Sequence, residues 1–142
     1  MAKPKTPLLA TDCVAVDARG RVLLIRRRFA PFEGCFALPG GFVDVGETVE
    51  EGCRRELREE TGIAAGPLQL IGVYSDPRRD PRGHAVSIAY ATRLAGAGVA
   101  AKAGDDAAAV AWIADWPPLE LAFDHRVILR DAWRMLGLRR RH

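Results

Sequence analysis

Apolar residues of this chain gather in short strand-like runs, and two longer stretches repeat with the spacing of a helix. The strand-like runs lie at residues 8–16, 21–28, 36–38, 68–74, 84–94 and 110–113. Residues 17–20 read Asp-Ala-Arg-Gly, a turn signal that predicts a hairpin between the first two runs. A C-terminal helix is predicted at residues 123–136, because Gly137 follows its last apolar position. The small residues 95–104 predict a loop.

The other helix is predicted from about residue 49 to about residue 61. Thr48 and Glu51 have the spacing of a capping box, in which each side chain accepts a hydrogen bond from the other residue's backbone N–H. Gly62 supplies the stop, because glycine adopts the left-handed conformation that ends many helices. These signals fix both ends of the helix.

Three carboxylates, Glu56, Glu59 and Glu60, lie within an arc of about 100° at the C-terminal end of this helix. Like charges at these spacings cost roughly 0.2–0.5 kcal/mol each and also oppose the helix macrodipole. A hard divalent cation such as Mg²⁺ reverses this balance, because it binds carboxylate oxygens and bridges phosphates. The alternative is a solvated helix with ion pairs between glutamates and arginines four residues apart, which explains the arginines but not the cluster of acids.

The segment at residues 41–63 resembles the Nudix box, the signature of the Nudix hydrolases. Its pattern is Gly, five residues, Glu, seven residues, then Arg-Glu-apolar-any-Glu-Glu-any-Gly-apolar. All nine specified positions are met, by Gly41, Glu47, Arg55, Glu56, Leu57, Glu59, Glu60, Gly62 and Ile63. A motif of this length in a loop-helix-loop context is a specific signal. The resemblance implies an α/β fold, a Nudix-type α/β/α sandwich with a mixed β-sheet, in one domain over residues 1–142.

The resemblance also implies roles for individual residues. Glu56, Glu59 and Glu60, with the backbone carbonyl of Gly40, would hold Mg²⁺ or Mn²⁺. Arg55 would orient the acids, and Glu47 would pair with Arg55 to brace the loop. The implied reaction is metal-dependent hydrolysis of a diphosphate linkage in a nucleoside diphosphate derivative.

Other segments resemble the ADP-ribose pyrophosphatases of the family, namely residues 36–43, 75–90 and 121–129. ADP-ribose would be split into AMP and ribose 5-phosphate. The loop at residues 75–84 contains two Asp-Pro pairs and three arginines, and we assign Arg82 and His84 in it to substrate binding, together with Arg27 and Gly41. Phe32, Phe36 and Tyr74 are alternatives for stacking an adenine, and the sequence does not choose among them.

The general base has two candidates. Glu59 is the first choice, and Asp105 or Asp106, in the loop before the last strand, is the second. Competing functions are a pyrophosphatase for another nucleotide derivative or a nucleoside triphosphate, and a non-catalytic nucleotide-binding module.

The net charge of +3 and pI near 9.0 fit attraction of a small polyphosphate, and no nucleic-acid-binding module is recognisable. No apolar run approaches the roughly 18 residues of a membrane span, so neither nucleic acid nor a membrane is an expected partner. A cytoplasmic location is expected, and the subgroup resemblance suggests a homodimer.

Overall fold

The central strand of the fold is buried along most of its length, and the rest of the chain is arranged around it. The computed structural model describes residues 2–139. Its strands are β1 (Leu8–Val16), β2 (Val22–Arg27), β3 (Phe36–Ala37), β4 (Gly40–Phe42), β5 (Leu68–Tyr74), β6 (Ala85–Arg93) and β7 (Ala107–Ile113). Its helices are α1 (Val49–Thr61) and α2 (His125–Leu136). None of the helices in the described part of the chain is long and apolar enough to span a membrane.

The strands form one mixed sheet in which β3, β2, β1, β6 and β5 follow one another. β1 and β6 are parallel over nine residue pairs, and β5 and β6 are antiparallel. β4 pairs antiparallel with β1, and β7 pairs antiparallel with β2. Both β4 and β6 therefore lie beside β1 in the middle of the sheet.

Successive residues of β1 point to opposite faces of the sheet, and each face is covered by one helix. Cys13 and Ala15 pack in the cluster that includes Leu57 of α1, whereas Val14 and Val16 pack in the cluster that includes Ile128 of α2. The two helices thus enclose the sheet. The expected α/β/α sandwich with a mixed sheet is confirmed.

The bounds of β1, β5 and α1 agree with the sequence-based prediction, and other elements differ for physical reasons. The predicted strand at residues 110–113 begins earlier, at Ala107, because β2 pairs with the alanines before it. The C-terminal helix begins at His125 rather than at residue 123, because Phe123 has a φ of 52°, outside the helical region. β4 was not predicted as a strand.

Candidate active site

The segment before α1 and the first turns of α1 are held together by an ion pair. Thr48 caps the helix, and its capping box with Glu51 is formed as predicted. Arg55 Nη2 and Nε donate to the two oxygens of Glu47, at 2.7 and 3.0 Å, in a bidentate arrangement. These hydrogen bonds lower the pKa of Glu47 to about 2, so Glu47 stays charged. Glu47 also accepts from the N–H of Asp44, which fixes the loop onto the helix.

Arg55 also contacts the acids of the cluster. Its Nη1 donates to Glu56 Oε1 at 2.8 Å and to Glu59 Oε2 at 3.2 Å, and its Nη2 donates to the carbonyl of Phe42 at 3.0 Å. One guanidinium group therefore fixes the positions of three carboxylates and one strand carbonyl. Its pKa is raised, chiefly by the hydrogen bonds to Glu47.

Glu56 and Glu60 face the glycines of β4. The N–H of Gly40 donates to Glu60 Oε2 at 3.1 Å. A Cβ atom on Gly41 would lie 2.6 Å from Glu56 Oε1, so any side chain at position 41 would displace that carboxylate. The two glycines allow the strand backbone to approach the acids closely.

The donor set fits a hard divalent cation. Burial raises the pKa of both Glu56 and Glu60, and with the added negative charge of Glu56 the pKa of Glu60 reaches about 9. Two adjacent, largely buried carboxylates cannot both carry charge at neutral pH without a nearby cation. Arg55 does not meet this need for Glu60, because its hydrogen bonds go to the other acids. Oxygen donors in this arrangement match the preference of Mg²⁺ or Mn²⁺.

Glu59 is turned away from this pair. Its side chain is 59% exposed and bonded to Arg55. Within residues 2–139, no three acidic, histidine or cysteine side chains already surround a single point as a metal site. Gly40 presents its N–H to Glu60, and the expected role of its carbonyl stays a prediction.

A cavity opens beside Glu60, between β1, β4 and the loop at residues 76–84. Arg27, Gly41 and Arg82, all assigned to the substrate from the sequence, line it together with Phe123. The guanidinium carbons of Arg27 and Arg82 lie 5.0 and 5.7 Å from the centre of the Phe123 ring. Two positive charges thus meet beside the carboxylates, where an anion such as a diphosphate would stabilise both.

Arg82 is already held by an acid of its own loop. Its Nε and Nη2 donate to the two oxygens of Asp80 at 3.1 and 2.8 Å. Asp80 therefore occupies the face of the guanidinium that a bidentate substrate contact would use. The Asp80 side chain is buried, so this ion pair fixes Arg82 at the rim of the cavity.

His84 is not brought into this cavity. Its Nε2 lies 3.0 Å from the carbonyl oxygen of Ser75, a contact that ties the two ends of the loop together. Asp105 and Asp106 are exposed and directly precede β7. The preceding Gly104 donates its N–H to the carbonyl of Glu60 at 2.9 Å, which places the loop against the last turn of α1. Both candidate regions for the general base are therefore adjacent.

Sequence reasoning missed a buried polar network on the floor of the cavity. Asp12 of β1 is 7% exposed and accepts a hydrogen bond from Ser87 Oγ at 2.5 Å. His125 Nδ1 accepts from the N–H of Leu38, which leaves Nε2 to donate to Asp12 Oδ1 at 3.3 Å. These groups keep the pKa of Asp12 below its ordinary value although burial acts to raise it.

Arg79 connects this network to the loop. Its Nε and Nη2 donate to the two oxygens of Asp124 at 2.9 and 2.7 Å, and its Nη2 lies 3.7 Å from Asp12 Oδ2. Asp124 is the N-cap residue of α2, yet its carboxylate serves Arg79 instead of capping the helix. One signal was present in the sequence, because Asp12 is the only charged residue of a mainly apolar strand.

Comparison with known proteins agrees with this geometry. The model of the NUDIX domain family matches residues 6–134. An ADP-ribose pyrophosphatase of Methanocaldococcus jannaschii is 47% identical over 128 residues, which are 90% of this chain and 74% of that protein. The ADPR responsive transcriptional repressor NtrR of Acinetobacter baylyi is 32% identical, and the match covers 96% of this chain but 57% of the repressor.

Among solved structures, the NUDIX domain of Shewanella oneidensis NrtR, crystallised with ADP ribose, superimposes with a TM-score of 0.85. Its sequence identity is 30%, and the match covers 93% of this chain and 90% of that one. The resemblance found at residues 41–63 is confirmed by these matches. The chain therefore belongs to the NUDIX domain family and is a Nudix pyrophosphohydrolase.

Proposed function

We propose that this protein hydrolyses the diphosphate linkage of ADP-ribose, releasing AMP and ribose 5-phosphate, with Mg²⁺ or Mn²⁺ as cofactor. The observation that carries the proposal is the juxtaposition of two groups. The largely buried Glu56–Glu60 pair lies beside a cavity where the side chains of Arg27 and Arg82 converge. Acids that need a cation, next to two converging guanidinium groups, fit a metal-bound diphosphate. The name of the pyrophosphatase relative supports ADP-ribose as the substrate.

The carboxylates of α1 would hold the metal ion, and Arg55 would position them. A bound divalent cation would neutralise charge on the diphosphate and lower the pKa of a bound water. Glu56, Glu60 and the Gly40 carbonyl would hold it, with Glu59 as a further ligand or as the general base. Arg55 keeps the acids in place, since the three carboxylates and the carbonyl that accept its hydrogen bonds all lie around the site.

Arg27 and Arg82 would bind the phosphate oxygens of the substrate. Arg27 is already fixed by a hydrogen bond from its Nε to the carbonyl of Pro31 at 2.7 Å, and Asp80 fixes Arg82. Side chains held in this way lose little conformational entropy when the diphosphate binds. The cavity is therefore preorganised for the negative charge of the diphosphate.

A substrate panel tests the proposal. The purified protein is incubated with ADP-ribose, a sugar nucleotide and a nucleoside triphosphate, with Mg²⁺, Mn²⁺ or EDTA, and the products are resolved by chromatography. We expect AMP and ribose 5-phosphate from ADP-ribose, and no turnover with EDTA. A preference for a triphosphate or for another sugar nucleotide would replace the substrate assignment. Binding of ADP-ribose without turnover would indicate a non-catalytic module.

Two variants separate the carboxylate pair from the rest of α1. Glu56→Gln removes a proposed ligand and should lower kcat by at least about 10²-fold, without loss of thermal stability, because it also removes repulsion within the cluster. Glu50→Gln is the matched control, since Glu50 lies exposed on the same helix and accepts a hydrogen bond from Tyr90 that an amide oxygen can also accept. Equal activity of the two variants would contradict the site.

A further inference from the structure

A second opening lies on the other side of Phe123 from the charged cavity. This groove has a volume of about 710 Å³, within the roughly 300–1,000 Å³ typical of small-molecule sites. Its lining is mainly aromatic and apolar, and includes Phe32, Tyr74, Pro81, Phe123 and Val127. Phe123 and Arg79 border both the groove and the charged cavity, so one extended ligand can occupy the two together.

Two phenylalanines at the groove are held in an unfavourable backbone conformation. Phe32 has a φ of 61° and Phe123 a φ of 52°, values that are unusual for bulky residues. Their rings meet edge to face, with centroids 4.9 Å apart. Such backbone outliers persist only where the surroundings enforce them, and they concentrate at ligand sites. The paired rings therefore form a rigid wall of the groove.

The structure also selects among the three aromatic residues considered for adenine. The Phe36 ring packs against the core and lies under the guanidinium of Arg26, 5.0 Å away. Tyr74 packs against the same core, and its hydroxyl donates to Asp131 at 2.7 Å. Phe32 is 38% exposed and lines the groove. Of the three aromatic residues it is the exposed one, whereas Phe36 and Tyr74 are half-buried.

The buried ion pair of the groove is already satisfied within the protein. Arg79 and Asp124 bond to each other, and Asp76 Oδ1 accepts from the backbone N–H of Arg78 at 2.8 Å. A ribose has several hydroxyl groups that each need a hydrogen-bond partner, whereas a planar base buries its faces against aromatic rings. The aromatic wall of Phe32 and Phe123 therefore favours the base.

We propose that this groove binds the nucleobase of the substrate, with Phe32 as the stacking platform and the determinant of affinity for the adenine half. The inference rests on the proposed function, because it assumes that the diphosphate lies in the cavity with Arg27 and Arg82. Stacking of a base on an aromatic side chain is typically worth enough for a change of about 5-fold to 150-fold in affinity.

Three variants test the platform. Phe32→Ala removes the ring, Phe32→Trp retains an aromatic face, and Phe29→Ala is the matched control. Phe29 lies three residues earlier in the same loop, is 57% exposed and does not line the groove. Thermal unfolding of each variant verifies that the fold is retained.

The first readout is binding of AMP to the protein by calorimetry, which does not require turnover. Phe32→Ala should weaken AMP binding at least about fivefold, Phe32→Trp should restore it, and Phe29→Ala should leave it unchanged. The second readout is hydrolysis. Phe32→Ala should raise KM for ADP-ribose by a similar factor with kcat within about twofold, but should not change KM for the methyl diphosphate ester of ribose, which lacks a base.

The outcomes separate this inference from the proposed function. Loss of AMP binding in Phe32→Ala without any ADP-ribose turnover by the wild type would refute the proposed reaction and leave the base site standing. Wild-type protein that fails to bind AMP, or a Phe32→Ala variant that binds AMP like Phe29→Ala, would overturn the inference. So would an equal rise in KM for the ester without a base.

Discussion

Replacement of Arg79 by alanine should destabilise the protein far more than replacement of its neighbour Arg78. The Arg79 side chain is 5% exposed and bonds to Asp124 through two nitrogens, with Asp12 at 3.7 Å. Its removal leaves two carboxylates without their guanidinium partner, and breaking a buried ion pair in this way costs about 3–5 kcal/mol. Asp124 is 22% exposed, so water recovers part of that loss. We expect about 3 kcal/mol, a change of roughly 150-fold in the unfolding equilibrium.

Arg78 provides a control within the same loop. Its side chain is 93% exposed, and its ion pair with Asp76 has a separation of 3.7 Å. Arg78→Ala should change the free energy of unfolding by no more than about 0.5 kcal/mol. Urea unfolding followed by circular dichroism measures both variants. Values for the two variants that agree within about 0.5 kcal/mol would refute the reasoning, because they would mean that the buried network does not depend on Arg79.

Three further predictions concern the base, acid stability and loop packing. Glu59→Gln should lower kcat at least about 10²-fold, while Asp105→Asn and Asp106→Asn should have small effects. Steady-state kinetics with a metal titration distinguishes a lost base from a lost ligand. A large loss of kcat in either aspartate variant would instead make that aspartate the general base. Burial acts to raise the pKa of Asp17, but N–H donors including the backbone of Gly98 outweigh it and lower the pKa. The free energy of unfolding of the wild type should therefore exceed that of Asp17→Asn by the largest amount above about pH 4, and this difference should shrink as the pH falls further. A difference that does not change with pH would contradict the prediction. Gly104→Ala should cost about 1–3 kcal/mol in thermal unfolding, because a Cβ there would clash with the carbonyl oxygen of Glu59. An unchanged melting temperature would show that the loop can move away freely.

Local signals in the sequence were sufficient for α1. The capping box at Thr48 and Glu51 is present, and Gly62 has a φ of 74°, as a left-handed helix end requires. Both signals involve residues within a few positions of each other, so their physics can be inferred from spacing alone. The predicted cluster of acids followed directly from this helix.

The features that were missed depend on distant partners. β4 contains two glycines, which have little tendency to form strands, and it exists because β1 pairs with it. The polar network joins Asp12 to Ser87 and His125, which lie more than 70 positions further along the chain. A sequence can indicate that a buried aspartate needs partners, but not which residues the fold brings to it.

The parallel pairing of β1 with β6 has a consequence for how the protein folds. Nine residues near the start of the chain find their partners only at Ala85–Arg93, so the intervening chain must first be synthesised and brought into a closed loop. Closing a loop of this length costs entropy before the pairing returns any stability, and such long-range contacts slow folding. α1 lies within that loop and carries the acids. During synthesis the helix can form early, whereas the cavity beside it can be completed only after β6 has joined the sheet.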